Sequence, residues 1–277
     1  MNNELKILFL GDIVGRPGRT IVKDYLDELN SAESPEYDFI IANVENASHG
    51  FGLTEKNHKE LSDMGINCFT SGNHIWDKKD VYAYINNSEK LIRPLNYPKG
   101  TYGVGYRIFD VKDTKVAVIN LLGRTFMNPV DSPWEFIENE IDKIKEIAPV
   151  IIIDFHAEAT AEKICFAKYC AEHKVSAVFG THTHVQTADE KIIDNCTAYI
   201  SDAGFCGTYD SIIGMEYKAS LKRLATSIPE RFDVAEGDIL ELNAVSVVID
   251  KTSGCAQNIN RIKFLKDYSE ADIMKEG

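Results

Sequence analysis

The 277-residue chain has no apolar run approaching the length that crosses a bilayer, and this excludes a membrane-spanning helix. It has no Cys-x-x-Cys pair, and its cysteines do not converge as an iron–sulfur site requires. It lacks Gly-x-Gly-x-x-Gly; the first loop reads Gly-Asp-Ile-Val-Gly-Arg-Pro-Gly, so a dinucleotide fingerprint is absent. It also lacks Gly-x-Ser-x-Gly, the context of a serine nucleophile. Basic residues are few: 30 Lys and Arg stand against 43 Asp and Glu, a formal net charge of -13. That excess repels nucleic-acid backbones at long range, so stable nucleic-acid binding is not expected. A small anionic substrate stays compatible, because bound cations reverse the local field. The start, MNNELKILFLGD, has no basic n-region and no small-residue cleavage site, and reads as a first strand. The six cysteines, several in apolar segments, read as reduced core residues of a cytoplasmic protein.

What is present is a regular alternation of strand and helix. KILFLGD, YDFIIANVEN and INCFTSGNH read as strands that run into loops. Between them a helix opens around Pro17 and runs to Leu29, and a second is capped by Thr54. A β-α-β-α-β opening predicts a parallel or mixed sheet with helices outside it. A short helix is expected over 78–86, then a hairpin turned at Lys112-Asp113, and a helix from Trp134 to Ile147. The buried run VIIIDFH, a helix over 161–173 and the strand of VSAVFGTHTH follow. Two short strands joined at Asp194-Asn195, a helix over 217–224 and a last hairpin turned at Ser253-Gly254 complete the pattern. No linker or repeat interrupts it, so the expectation is one domain over 1–277, with roughly the last ten residues frayed.

Residues able to bind metal recur just after these strands: Asp12; Glu45 and Asn46; Asn73 and His74; His156; His182 and His184. Taken singly, Asp12 reads equally well as a helix cap, Asn73 as a turn residue and His156 as a hydrogen-bonded core histidine. Jointly, they place five segments at the carboxyl ends of strands, where α/β sheets form their sites. Carboxylate, amide and imidazole together suit zinc, manganese or iron and are too nitrogen-rich for calcium. About six ligands with one carboxylate able to bridge predict two metals. His49, His58 and His173 read as surface histidines, and the loop 201–214, with Tyr209, reads as a wall of the substrate cleft or as plain turn chemistry.

These segments resemble the calcineurin-like metallophosphoesterase superfamily, and more closely its bacterial YmdB-like branch. The resemblance runs from FLGDIVGRPGR through ANVENASHGFG, TSGNHIWDKK, IIDFHAEATAEK, FGTHTHVQTADE and SDAGFCGTYDSIIG to LNAVSVVIDKTSGCAQNINRI. It implies a four-layer α/β/β/α sandwich of two mixed sheets flanked by helices. It implies that Asp12, a bridging Glu45 and His184, with Asn46, hold one metal, and that Glu45, Asn73, His156 and His182 hold the other. The ions would be divalent or mixed-valence, with iron favoured over manganese or zinc. His74 would stand off the metals as the acid for the leaving group. The activity implied is hydrolysis of 2',3'- or 3',5'-cyclic nucleotides by a metal-bridging hydroxide, in a homo-oligomer. A phosphomonoesterase, a nuclease, or a regulatory metal protein with weak turnover are the alternatives. The chain departs from the superfamily pattern at Val14, where a histidine is usual, at Glu45 in place of aspartate, and at Ile75 after His74, which leaves Asp77 as the nearest acid.

Overall fold

The computed structural model describes residues 3–31 and 35–269; the expected fraying falls mainly on 270–277, outside the described residues. Two mixed sheets pack face to face. The first is built on β1 (Glu4–Leu10), which pairs in parallel with β3 (Phe39–Asn43), itself parallel to β4 (Cys68–Thr70). On its other side β1 runs antiparallel to the long β12 (Ile239–Asp250), which also carries β13 (Ala256–Asp267). Two short strands, β2 (Asp12–Ile13) and β11 (Phe205–Thr208), extend the sheet beyond β12. The second sheet has the order β5 (Tyr106–Val111), β6 (Thr114–Leu122), β7 (Val150–His156), β8 (Ala177–Thr181), β10 (Thr197–Ile200), β9 (Lys191–Ile193).

Period-two alternation explains why the layers stack. Leu5, Ile7 and Phe9 face Val118, Ile152 and Phe179 in the core between the sheets. The alternate residues Leu8 and Leu10 face outward onto Ile21, Val22 and Leu26 of α1 (Gly15–Asn30) and Leu61 of α2 (Glu55–Asp63). On the second sheet, Ala117, Ile119 and Leu121 face Ile137, Ile141 and Ile144 of α4 (Pro133–Ile147). Phe166 and Cys170 of α5 (Thr160–Glu172) complete that outer layer. The result is the expected α/β/β/α sandwich. Thr54 caps α2 through its side chain, which accepts from Asn57 N. Both hairpins turn where expected. Among the described residues, no helix is long and apolar enough to cross a membrane.

Some expectations need correction. The helix expected over 78–86 is only α3 (Val81–Tyr84), because the 78–83 backbone closes in i to i+3 turns and Asn86, Asn87 and Ser88 favour turns. The 201–214 segment is not all loop, since it contains β11. The cysteines are not all reduced: Cys196, before β10, is bonded to Cys255, which enters β13. Cys165 is exposed; only Cys68, Cys170 and Cys206 are the free, buried kind. The pairing removes the cysteine argument for a reducing compartment. His58 is half-buried against Phe69 and Tyr84, with its Nε2 3.1 Å from Ser88 Oγ, and His173 is partly covered by Tyr169. His49 is exposed, as expected.

Candidate metal centre

The parallel strands β1, β3 and β4 of one sheet and β7 and β8 of the other end at the same rim. Asp12 comes two residues after β1 and opens β2, Glu45 follows β3, Asn73 follows β4, His156 closes β7 and His182 follows β8. Asp12 and His156 are fully buried, and Glu45, Asn46 and His184 nearly so.

Around His156 Nε2 lie Glu45 Oε1 at 2.9 Å, His182 Nδ1 at 3.0 Å and Asn73 Oδ1 at 3.2 Å. Glu45, His156 and His182 form a group whose ligand atoms all lie within 4.8 Å of one another. The tautomers follow from the outer partners. Thr181 donates to Asp154 Oδ1 at 2.6 Å, so its hydroxyl accepts from His156 Nδ1 at 2.9 Å, and Nε2 is the nitrogen left to face Glu45, where it can hold a proton or a cation. His182 Nε2 faces the Glu158 carboxylate at 3.1 Å, which leaves Nδ1 bare. His184 Nδ1 donates to the Ile213 carbonyl at 2.9 Å, which leaves Nε2 bare, 3.8 Å from Asp12 Oδ1. Ring nitrogens and carboxylate oxygens turned toward one another in a buried site describe a cradle for a cation, whether proton or metal.

Two further atoms fit that description. Among the described residues, Asp12 Oδ1 and Asn46 Oδ1 are buried without a hydrogen-bond partner, although the Asn46 amide nitrogen donates to Gly50 O at 2.7 Å. A Cβ on Gly72 would fall against Glu45 Oε2 and His156 Nε2, so only glycine keeps the cradle open. The open side is a cleft of about 280 Å³ lined by Glu45, Asn46, His74, Glu158, His182, Thr183, His184 and Ile213. Tyr209 lines a neighbouring groove of about 350 Å³ on the other side of His184.

The charges are strongly coupled. Burial works to raise the Glu45 carboxyl, but His156 overrides it and holds it at about 2. Burial works to lower His156, but Glu45, with Asp12 and Asp154, lifts it to about 9. Burial, joined by His156, drops His182 to about 3. Burial raises Asp12 to about 7 despite His184 and His156. In the metal-free protein, protons therefore occupy positions suited to cations.

His74 stands at the cleft with its backbone N–H on Glu45 Oε2 at 2.8 Å and its Nδ1 2.8 Å from Asp77 Oδ2. Its ring meets Phe51 edge-on, 4.8 Å between centroids. The structure thus brings every predicted site residue to this rim: the His182 backbone N–H donates to Asp12 Oδ2 at 3.3 Å, and Asn46 lines the cleft with its Oδ1 unpaired among the described residues.

Sequence reasoning missed the supports beneath. Asp154 accepts from Thr181 and, at 2.9 Å, from Asn43 Nδ2. Asp202 Oδ2 accepts from Lys163 Nζ at 2.9 Å and from Thr183 N and Oγ1 at 3.0 and 2.7 Å. That pair is almost fully buried and anchors a loop whose His182 and His184 take φ of 100 and 64, values unusual for non-glycine residues. Their one visible signal was polarity inside apolar strands or helices.

The YmdB-like protein family model matches residues 8–262. The chain belongs to the YmdB-like branch of the calcineurin-like metallophosphoesterases. It is 45% identical over 264 residues to the Bacillus subtilis 2',3'-cyclic-nucleotide 2'-phosphodiesterase, covering 95% of this chain and 98% of that relative. Among solved structures, a Mycoplasma pneumoniae phosphatase aligns with TM-score 0.89 at 34% identity, covering 98% of this chain and 96% of that one. A hypothetical protein from Thermus thermophilus aligns with TM-score 0.86 at 36% identity, covering 95% of this chain and all of that one. This YmdB-like chain is therefore a metal-dependent hydrolase of the phosphoesterase kind, with a candidate ligand cluster in Glu45, His156 and His182.

Proposed function

We propose that the chain is a two-metal phosphodiesterase that hydrolyses cyclic nucleotides, with 2',3'-cyclic substrates favoured by the name of its Bacillus subtilis relative. The observation that carries the two-metal reading is the pair of partnerless buried oxygens, Asp12 Oδ1 and Asn46 Oδ1, beside the Glu45–His156–His182 group. With His184 Nε2 they form a second set of lone pairs. In this reading Glu45 serves both sets, Asn73, His156 and His182 complete one, and Asp12, Asn46 and His184 complete the other. The donor chemistry suits iron, with manganese or zinc as substitutes.

When bound, two such cations activate water and neutralise charge on a transferring phosphoryl group. The chain's own part is proton management and orientation. Water attacks phosphorus and gives up one proton to the solvent, the bond to one ribose oxygen breaks, and that oxygen takes a proton from Nε2 of His74 in its doubly protonated, imidazolium form. Asp77 holds Nδ1 and so turns Nε2 toward the leaving group. The product is a nucleoside monophosphate. Homo-oligomeric assembly and a cytoplasmic setting are part of the same proposal.

The test is a comparison of rates for the metal-loaded enzyme on 2',3'- and 3',5'-cyclic nucleotides, p-nitrophenyl phosphate and RNA. The proposal expects the highest kcat/KM on a cyclic nucleotide. A preference for the monoester or for RNA would replace it with a phosphatase or a nuclease. Metal content without turnover on any of them would support a regulatory metal protein.

A further inference from the structure

The loop that leaves β6, residues 123–130, is built against the candidate metal centre. Gly123 N donates to the carbonyl of His156 at 3.0 Å. A Cβ on Gly123 would meet Ala157 Cβ at 2.5 Å, so glycine alone lets the loop lie against the segment that leads to Glu158 at the cleft. The loop is held at both ends. Glu162 accepts from Arg124 N at 2.9 Å and from Thr125 N at 3.1 Å. The buried Asn96 side chain donates to Leu122 O at 2.9 Å and to Asp131 O at 3.0 Å.

On this fixed base the chain displays two side chains that the fold does not use. Phe126 is 89% exposed and its backbone has φ 62, a left-handed conformation that favours glycine and not an aromatic residue. Arg124 is exposed, and its guanidinium has no carboxylate partner among the described residues, in a chain whose acids outnumber its bases by 13. An exposed aromatic ring, with an exposed arginine two residues before it, on a loop that leaves the rim where Leu122 pairs with His156, is suited to a ligand that has both a π-face and an anion.

We propose that Phe126 and Arg124 form a nucleotide-recognition subsite of this centre. Phe126 stacks on the nucleobase, and Arg124 pairs with a phosphate oxygen of the same molecule. The proposal rests on the phosphodiester reading above and makes it specific. The base is recognised by its face, so the four bases are handled alike, and the phosphodiester of a base-free sugar is handled poorly.

The test uses the metal-loaded full-length enzyme, with 2',3'-cyclic AMP and the base-free methyl riboside 2,3-cyclic phosphate as substrates. Phe126→Ala should lower kcat/KM on cyclic AMP roughly 5- to 100-fold, through KM, and leave the base-free diester unchanged. Phe126→Trp should restore cyclic AMP turnover. Arg124→Ala should lower kcat/KM on both substrates roughly 10-fold or more. Equal effects of Phe126→Ala on both substrates, or none on either, would overturn the stacking role. A fall in oligomeric mass by light scattering, with kcat/KM on cyclic AMP kept, would make Phe126 an interface residue and overturn it likewise. A wild-type enzyme inactive on both diesters but active on p-nitrophenyl phosphate would defeat the phosphodiester reading itself, and the subsite with it.

Discussion

His74 Nδ1 lies 2.8 Å from Asp77 Oδ2, three residues along the same 3-10 turn. The carboxylate fixes which nitrogen carries the proton on that side and leaves Nε2 for the cleft. The sequence pattern made Asp77 only the nearest available acid; the turn over Ile75–Asp77 brings it onto the imidazole.

His74→Asn should therefore reduce turnover of a cyclic nucleotide by roughly 10²–10⁴ while metal content holds. Bis-p-nitrophenyl phosphate, whose leaving group departs without a proton, should suffer far less. Steady-state rates on both substrates, with metals counted, check this. Equal losses would mean that His74 only positions phosphate, and lost metal would make it a ligand.

Glu45→Gln should release both ions together, because in this account Glu45 is the one carboxylate common to both ligand sets. Elemental analysis of the purified variant decides it. Retention of two tightly held ions would exclude the shared role.

Metal binding should release protons and tighten as pH rises. The metal-free His156 sits at about 9 and Asp12 at about 7, so at pH 7 the first is protonated and the second half so. Calorimetric titration with manganese in buffers of different ionisation enthalpy should show net proton release that shrinks toward pH 9. The metal-free fold depends on pH through the same raised group. The His156 contribution is fully present below its ordinary 6.5 and is lost as pH rises through about 9. Proton uptake on binding would reject this charge arrangement.

Lys163→Ala should destabilise the fold by about 3–5 kcal/mol, because it strands the buried Asp202 carboxylate that holds Thr183. Urea unfolding of the metal-free variant measures it. A change below about 1 kcal/mol would show that Asp202 does not depend on this pair.

The legible parts of the molecule were those written in local pattern. Alternating residues such as Leu5, Ile7 and Phe9 announce a strand, and Thr54 announces a helix start. Ligand-type residues stood out because Asp12, Glu45, Asn73, His156 and His182 each come at or just after the end of a strand-like run. The illegible parts depend on distant partners. β11 is four residues whose strand character comes from pairing with Leu240–Leu242. The Cys196–Cys255 bond joins residues 59 apart, and no spacing rule reveals it. Asp154, Thr181 and Lys163 are polar in apolar settings, but only the packed sheets show which metal-ligand candidates they hold.

The claim at the centre of this account is two ions sharing Glu45. An anomalous-difference map from crystals grown without added metal tests it most directly. Two peaks are expected, one bounded by Asn73, His156 and His182 and the other by Asp12, Asn46 and His184, with Glu45 between them. A single peak at fully occupied His156 and His182, with Asp12 and Asn46 bound only to water, would contradict it.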